Sequence, residues 1–450
     1  MSQNIKLKKG FDINLAGKAE KKIAELSLPE TFALKPSDFV GMSRAKLLVK
    51  EGDTVKAGTP IMIDKQVEDV MYCAPVSGEI AEVVRGAKRK ILEIRILADK
   101  EIQFESFSKH ADVSSLSKEA VIDQMTKGGV WPNIIQRPFG VVASPQDTPK
   151  AIFISAFDSH PLAPDTNFIL QGNEKYFEAG VAILSKLTSG KVHINVNKDS
   201  ADFLKSSKAQ INTVEGPHPA GNVGVQIHHI DPINKGEVAW TVHPYGVAQI
   251  GKLFLEGKYD ASKIIALAGS EVKTPQYYKT YSGAAINKLV DGTIKEGHVR
   301  YISGNVLTGN QINSTGYLGF YHNQVTVIPE GDYYEFFGWI TPTTKKLSFH
   351  RAFGLLSFLG GKNKEYTLDT NTRGQHRAFV QTGSFEKVVP MDILPTHLIK
   401  AIMAEDYDDM EGLGIYEVIE EDLALCEFID VSKNEIQSIL REGIELVKNS

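Results

Sequence analysis

The sequence predicts a multidomain α/β protein, and three observations carry that class. Residues 38–98 are dense in Val and Ile between Gly-bounded turns. The runs 151-AIFISAF-157 and 191-KVHINV-196 flank a helical stretch. The chain closes in helix-forming residues from Pro395 to Val447. Strand-rich, alternating and helical regions in succession define separate layers, each needing its own core. At 450 residues the chain exceeds what one core accommodates and points to about three or four domains.

The first region reads 46-KLLVKEGDTVKAGTPIMIDK-65, 70-VMYCAPVSGEIAEVV-84 and 91-ILEIRI-96. Short alternating runs broken at Gly-Asp, Ala-Gly and Ser-Gly predict compact antiparallel hairpins. The pattern EGDxVxxG followed by APxSGxI resembles the biotinyl/lipoyl barrel-sandwich hybrid. That family carries a modified lysine at a hairpin tip. Val67 stands where the resemblance places that lysine, and Lys65 is displaced from it. The register argues for a structural version without a carrier arm.

Residues 118–145 predict a helix and a loop. A strand over 151–157 follows, then a helix over 173–187 and a strand over 191–196. Strand, helix and strand in succession make a parallel βαβ unit, so this region is doubly wound and Rossmann-like. Ligands in such sheets bind beyond the strands' carboxyl ends, which points to Asp158, His160 and the loop before them. From Lys263 the order becomes hairpin, turn and short helix, a β-grasp signature continued by 298-HVRYISGNVLTGNQI-312. The segments 333-YYEFFGWI-340 and 351-RAFGLLSFLGG-361 are unusually aromatic. Core is their default place, and joint exposure would mark an interface.

Composition excludes several classes. With 42% hydrophobic and 23% charged residues the chain is neither disordered nor membrane-embedded. No run approaches the ~18 apolar residues of a membrane span. The first residues, MSQNIKLKKGFDINLAGK, hold no apolar signal segment. Two distant cysteines, Cys73 and Cys426, form neither a disulfide framework nor a closed zinc site, as suits a reducing compartment. The net charge of −5 is divided between a lysine-rich beginning and an acidic run from Ala401 to Ser432 that holds no Lys or Arg. No basic stripe interleaved with aromatics occurs, so nucleic acid is not expected as a partner.

The order of these modules resembles the C component of the Rnf complex and the NADH-binding subunit of respiratory complex I. The strings 42-MSRAKLLVKEGDTVKAGTPI-61, 137-RPF-139, 216-GPHPAGNVGVQIHHIDP-232, 250-IGKLFLEG-257, 302-ISGNVLTG-309 and 393-ILPTHLIKAI-402 narrow the likeness. Together they resemble the family of A components of the Na+-translocating NADH:quinone oxidoreductase (Na+-NQR). That resemblance implies a barrel-sandwich region over 1–100, a Rossmann-like domain over 101–257 and a β-grasp (SLBB-like) domain over 258–330. An aromatic connection over 331–380 and a helical domain of degenerate ferredoxin type over 381–450 complete it. It further implies a peripheral subunit on the cytoplasmic face of the bacterial inner membrane, docked on the membrane-embedded B component and its companions. The assembled translocase would oxidise NADH and reduce quinone, and this chain alone would not be a complete enzyme. NADH, FAD, FMN, riboflavin and Fe–S clusters would belong to other subunits. Two rival readings share the modules: a flavin-binding NADH dehydrogenase subunit, and an assembly scaffold without a ligand.

The site residues follow from departures from those relatives. Where they carry a GxGGAGFP phosphate loop, this chain has Gly128-Gly129-Val130-Trp131-Pro132. Trp131 adds bulk and Pro132 removes a donor, which disfavours a flavin phosphate. Where they carry E-C-E-P, this chain has Asp158-Ser159-His160-Pro161. Replacing a carboxylate by imidazole suits a planar quinone, whose carbonyls accept hydrogen bonds. Trp131, Arg137, Phe139, Asp158 and His160 are therefore the expected lining of a quinone cavity. In the cluster region Cys426 is retained, but Asp430 replaces the next thiolate, and one thiolate cannot hold an iron–sulfur cluster. Cys426 then reads as a buried small hydrophobe. His218, His228, His229 and His243 fit no metal spacing and read as satisfied histidines in close-packed turns. No GxSxG elbow supports a hydrolase.

Overall fold

The computed structural model describes residues 2–338, 340–343, 345–350, 364–380 and 383–450. The barrel-sandwich region has two facing sheets. One orders strands Thr31–Leu34, Ile91–Ala98, Gly78–Arg85 and Thr54–Val55, and the other Ala45–Leu47, Pro60–Asp64 and Val67–Cys73. Their inner faces place Phe32, Ile61, Met62, Ile80, Ile94 and Ile96 out of solvent. Alternation in Gly78–Arg85, and the Gly-bounded turns between the strands, made this region legible from its sequence.

Lys65 departs from the expectation. Strands Pro60–Asp64 and Val67–Cys73 pair Asp64 with Val67, so Lys65 and Gln66 form the hairpin tip, and Lys65 is exposed. Register shifts between Pro60 and Met62 and between Ile63 and Asp64 absorb the residues that a regular ladder would have moved elsewhere.

A seven-stranded sheet organises the second domain, in the order Asn4–Lys6, Gln210–Glu215, Lys191–Val196, Ala151–Ser155, Ala239–Val242, Ile134–Arg137 and Val141–Val142. The first five are parallel, Ile134–Arg137 runs antiparallel to them, and Val141–Val142 pairs antiparallel with it at the edge. Ala151–Ile154 is buried, as a strand covered on both faces must be. Helices Glu174–Leu184 and Pro244–Glu256 cross closely on one face. A Cβ on Gly180 would lie 2.0 Å from the Val247 carbonyl oxygen, and one on Gly251 would lie 1.8 Å from that of Tyr176. The second helix begins on Pro244 and ends at Gly257, whose φ of 63° suits a left-handed cap.

The third sheet orders Asn310–Ile312, Val299–Ser303, Gln324–Pro329, Ser262–Ala268, Gln276–Tyr281 and Glu20–Ala24. Residues 1–24, grouped by the sequence with the first region, thus contribute Asn4–Lys6 to the second sheet and Glu20–Ala24 to the third. Helices Pro395–Met403, Tyr407–Gly412, Glu420–Ile429 and Ile436–Asn449 form the last domain. Cys426 is buried among Leu398, Ile402, Leu423 and Leu440. Asp430 organises the turn that follows, accepting from the backbone N–H of Ser432 at 3.0 Å and of Asn434 at 2.9 Å.

The default core reading of the aromatic segment is corrected. Tyr334, Phe336 and Phe337 are 103%, 90% and 56% exposed, and Ile340 beside them is also exposed. Their two-residue alternation has no sheet to enter, because 331–343 holds no strand among the described residues. Trp339 and the 351–361 aromatic run lie outside the described residues.

Candidate functional site

A cavity of about 390 Å³ opens at the carboxyl ends of the parallel strands. Its walls come from all four domains: Asp38 and Val40 from the barrel-sandwich region, Ser155, Asp158 and His218 from the second, His322 and Asn305 from the third, Glu421 from the helical one. Its size is that of a small-ligand site.

Of the five expected lining residues, Arg137, Asp158 and His160 face this cavity. Trp131 and Phe139 do not line it. Trp131 is fully buried, donates its indole N–H to the Ala143 carbonyl at 2.8 Å and meets Trp240 edge-on at 5.6 Å. Its bulk fills the core under the sheet instead of a ligand pocket. Phe139 occupies a turn with φ of 83°, packs edge-on against Tyr416, and accepts from Arg441 Nη1 through its carbonyl at 2.8 Å. It fastens the helical domain.

The glycine loop is packed shut. Gly129 has φ of 73°, and a Cβ there would lie 2.7 Å from Cys73 Sγ, against the barrel-sandwich region. A cradle for phosphate requires open N–H groups facing space, and this loop offers none at Gly129.

Asp158 and His160 form a closed pair. His160 Nε2 lies 2.8 Å from Asp158 Oδ2, and His160 Nδ1 lies 3.2 Å from the Pro161 carbonyl. Both ring nitrogens face acceptors, so both carry protons. Burial opposes the charge, but the Asp158 carboxylate outweighs it and raises the His160 pKa. Burial likewise opposes the Asp158 charge, and His160 overrides it, holding that carboxyl well below its usual range. With both nitrogens occupied, His160 supplies charge to the cavity, not a spare donor.

Elsewhere in the cavity lining Arg137 is buried between two carboxylates, Nη1 at 2.8 Å from Asp422 and Nη2 at 2.6 Å from Glu421. Both acids lie in the first turn of helix Glu420–Ile429, where negative charge is favoured. Glu420 is held by Arg441. Three carboxylates thus share two guanidinium groups. Burial first, then Asp422, Asp158 and Glu420, raise the Glu421 pKa to about 7 against the pull of Arg137.

The sequence reading missed His322 and Glu421 and treated His218 and His243 as packing. All four line the cavity. The Gly/Pro turn around His218 was visible, but nothing in the sequence alone brings residues 218, 322 and 421 together. Among the described residues no group of three or more His, Cys, Asp or Glu could hold a metal ion.

A barrel-sandwich hybrid, a doubly wound domain and an SLBB-type domain around one strand-end cavity define a module of the redox-complex class. Family models agree in the same order. Residues 5–99 match the NqrA N-terminal barrel-sandwich hybrid domain, 116–259 the NqrA second alpha/beta domain, and 264–314 the NQRA C-terminal domain. The A component of the Na(+)-translocating NADH-quinone reductase of Serratia proteamaculans is 39% identical over 452 residues, covering 99% of each chain. Its counterparts in Alcanivorax borkumensis and Neisseria meningitidis serogroup A are 37% and 38% identical, each again over 99% of both chains. The chain belongs to the NqrA family, the A components of Na(+)-translocating NADH-quinone reductases, and so to an oxidoreductase complex coupled to sodium transport. Among the described residues no helix is long and apolar enough to cross a membrane.

Proposed function

We propose that this chain serves its NADH-quinone reductase as the peripheral subunit that receives a quinone head group in the strand-end cavity. It does so docked on the membrane-embedded B component at the cytoplasmic face. The observation that carries this reading is the cavity itself, about 390 Å³ and lined by imidazoles and a buried guanidinium. A planar ring with two acceptor carbonyls is the ligand class that such walls suit. The packed Gly129 loop and the lone thiol of the helical domain, Cys426, support a subunit that holds no flavin or Fe–S cluster of its own. NADH, FAD, FMN, riboflavin and clusters are then borne by the companion subunits. The exposed rings at Tyr334, Phe336 and Phe337 support an assembly surface.

Photolabelling of the assembled complex with an azidoquinone tests the reading. Label is expected in peptides containing Asp158, His218, His322 or Glu421. Label confined to membrane subunits would sink it. A flavin spectrum near 1:1 in the purified chain would favour the flavoprotein alternative, and a chain with neither flavin nor quinone would favour a scaffold.

A further inference from the structure

Two imidazoles that line the cavity, His218 from the second domain and His322 from the third, are held by the same device. His218 Nδ1 lies 3.0 Å from Ser159 Oγ, and His322 Nδ1 lies 2.8 Å from Ser303 Oγ. Each serine oxygen already accepts a backbone N–H, from Gly221 at 2.8 Å and from Gly319 at 2.8 Å. The hydroxyl proton of each serine then has the imidazole Nδ1 as its one acceptor among the described residues. A satisfied arrangement makes the serine the donor and Nδ1 the acceptor. That bonding assigns the ring proton to Nε2 in both histidines. Neither Nε2 has a protein partner among the described residues, and both residues line the cavity.

The surroundings hold this state. Burial lowers the His218 pKa to about 4 and the His322 pKa to about 3, in the second case with Lys263, Lys35 and His160 adding to the effect. Both rings are therefore uncharged at neutral pH. The buried Lys263 donates to the carbonyls of Phe320 at 2.9 Å and His322 at 3.0 Å, fixing the backbone that carries the ring. His218 is anchored likewise, its backbone N–H donating to Asp12 at 2.8 Å.

We propose that the Nε2–H groups of His218 and His322 are the donors to the two carbonyl oxygens of the quinone, and that they make the site selective for its oxidised form. This rests on the quinone reading above. A quinone presents acceptors only, and two fixed donors satisfy them. A quinol presents O–H donors, and an imidazole whose Nδ1 is occupied and whose Nε2 carries a proton cannot accept from them. The quinol O–H groups gain nothing from these two imidazoles and must turn to other acceptors to be paired, so the reduced form binds less tightly and leaves.

The test is anaerobic titration of the full-length chain with ubiquinone-1 and, separately, with its quinol. The quinone is expected to bind at least about tenfold more tightly. Ser303→Ala and Ser159→Ala, which free Nδ1, are expected to reduce that ratio about threefold or more while quinone binding persists. Should either variant fail to fold, side-chain 15N shifts in the unmodified chain decide the point, with both rings expected as Nε2–H tautomers. Equal affinity for the two redox forms, or an Nδ1–H ring at either position, overturns the donor assignment alone. Binding of neither form defeats the quinone reading beneath it.

Discussion

Arg137 and Glu421, 284 positions apart in the chain, meet at 2.6 Å where the edge of the seven-stranded sheet abuts the first turn of a C-terminal helix. Asp422 receives the other nitrogen of the same guanidinium at 2.8 Å. A domain junction and a cavity wall are thus one structure. Anything that disturbs the helical domain disturbs the site.

Removing the guanidinium should be severe. Arg137 is 2% exposed and the Asp422 side chain is fully buried, so Arg137→Met leaves a carboxylate without its counter-ion. The expected loss is about 3–5 kcal/mol in chemical denaturation. Arg137→Gln combined with Asp422→Asn removes both charges and should recover part of it. A single variant as stable as the parent would show that the pair contributes nothing.

Glu421 gives the molecule a pH signature. Its pKa in the folded chain is raised to about 7 from an ordinary 4.5, so the folded state holds the proton more tightly than the unfolded one. Stability is then greatest with Glu421 protonated and declines as pH rises from 4.5 towards 7. Glu421→Gln should flatten that decline. Because the side chain is 39% exposed, the change will be smaller than the full shift implies. Melting temperatures between about pH 5 and pH 8 check this, and parallel curves for the two proteins would contradict it.

Trp131 should behave as core. Trp131→Ala is expected to cost about 3–5 kcal/mol while leaving quinone affinity of the folded fraction unchanged. A stable variant that has lost quinone binding would return Trp131 to the site.

The exposed rings should matter for assembly and not for folding. Phe336→Ser together with Tyr334→Ser is expected to shift stability by no more than about 0.5 kcal/mol. Co-purification with the membrane subunits should fall. Unchanged assembly would leave the patch without that role.

How much of this was legible depended on whether the signal was local. The strand Ala151–Ser155 and helix Glu174–Leu184 announce themselves by apolar period, and Asp158 and His160 follow because strand ends bind ligands. Asn4–Lys6 and Glu20–Ala24 were missed as members of distant sheets, since their parallel partners lie near residues 213 and 277. Trp131 misled because a bulky ring beside a glycine turn reads equally as pocket wall or as core. Lys65 misled because bulges can absorb residues without moving a hairpin tip. His322 was invisible, since its significance arises only from Ser303 and a cavity that four domains enclose.

The most direct measurement is a structure of the assembled complex soaked with a short-chain quinone. The account predicts a planar ring between Asp158, His218, His322 and Glu421 of this chain. Quinone density found only within the membrane subunits, with this cavity filled by solvent, would contradict it.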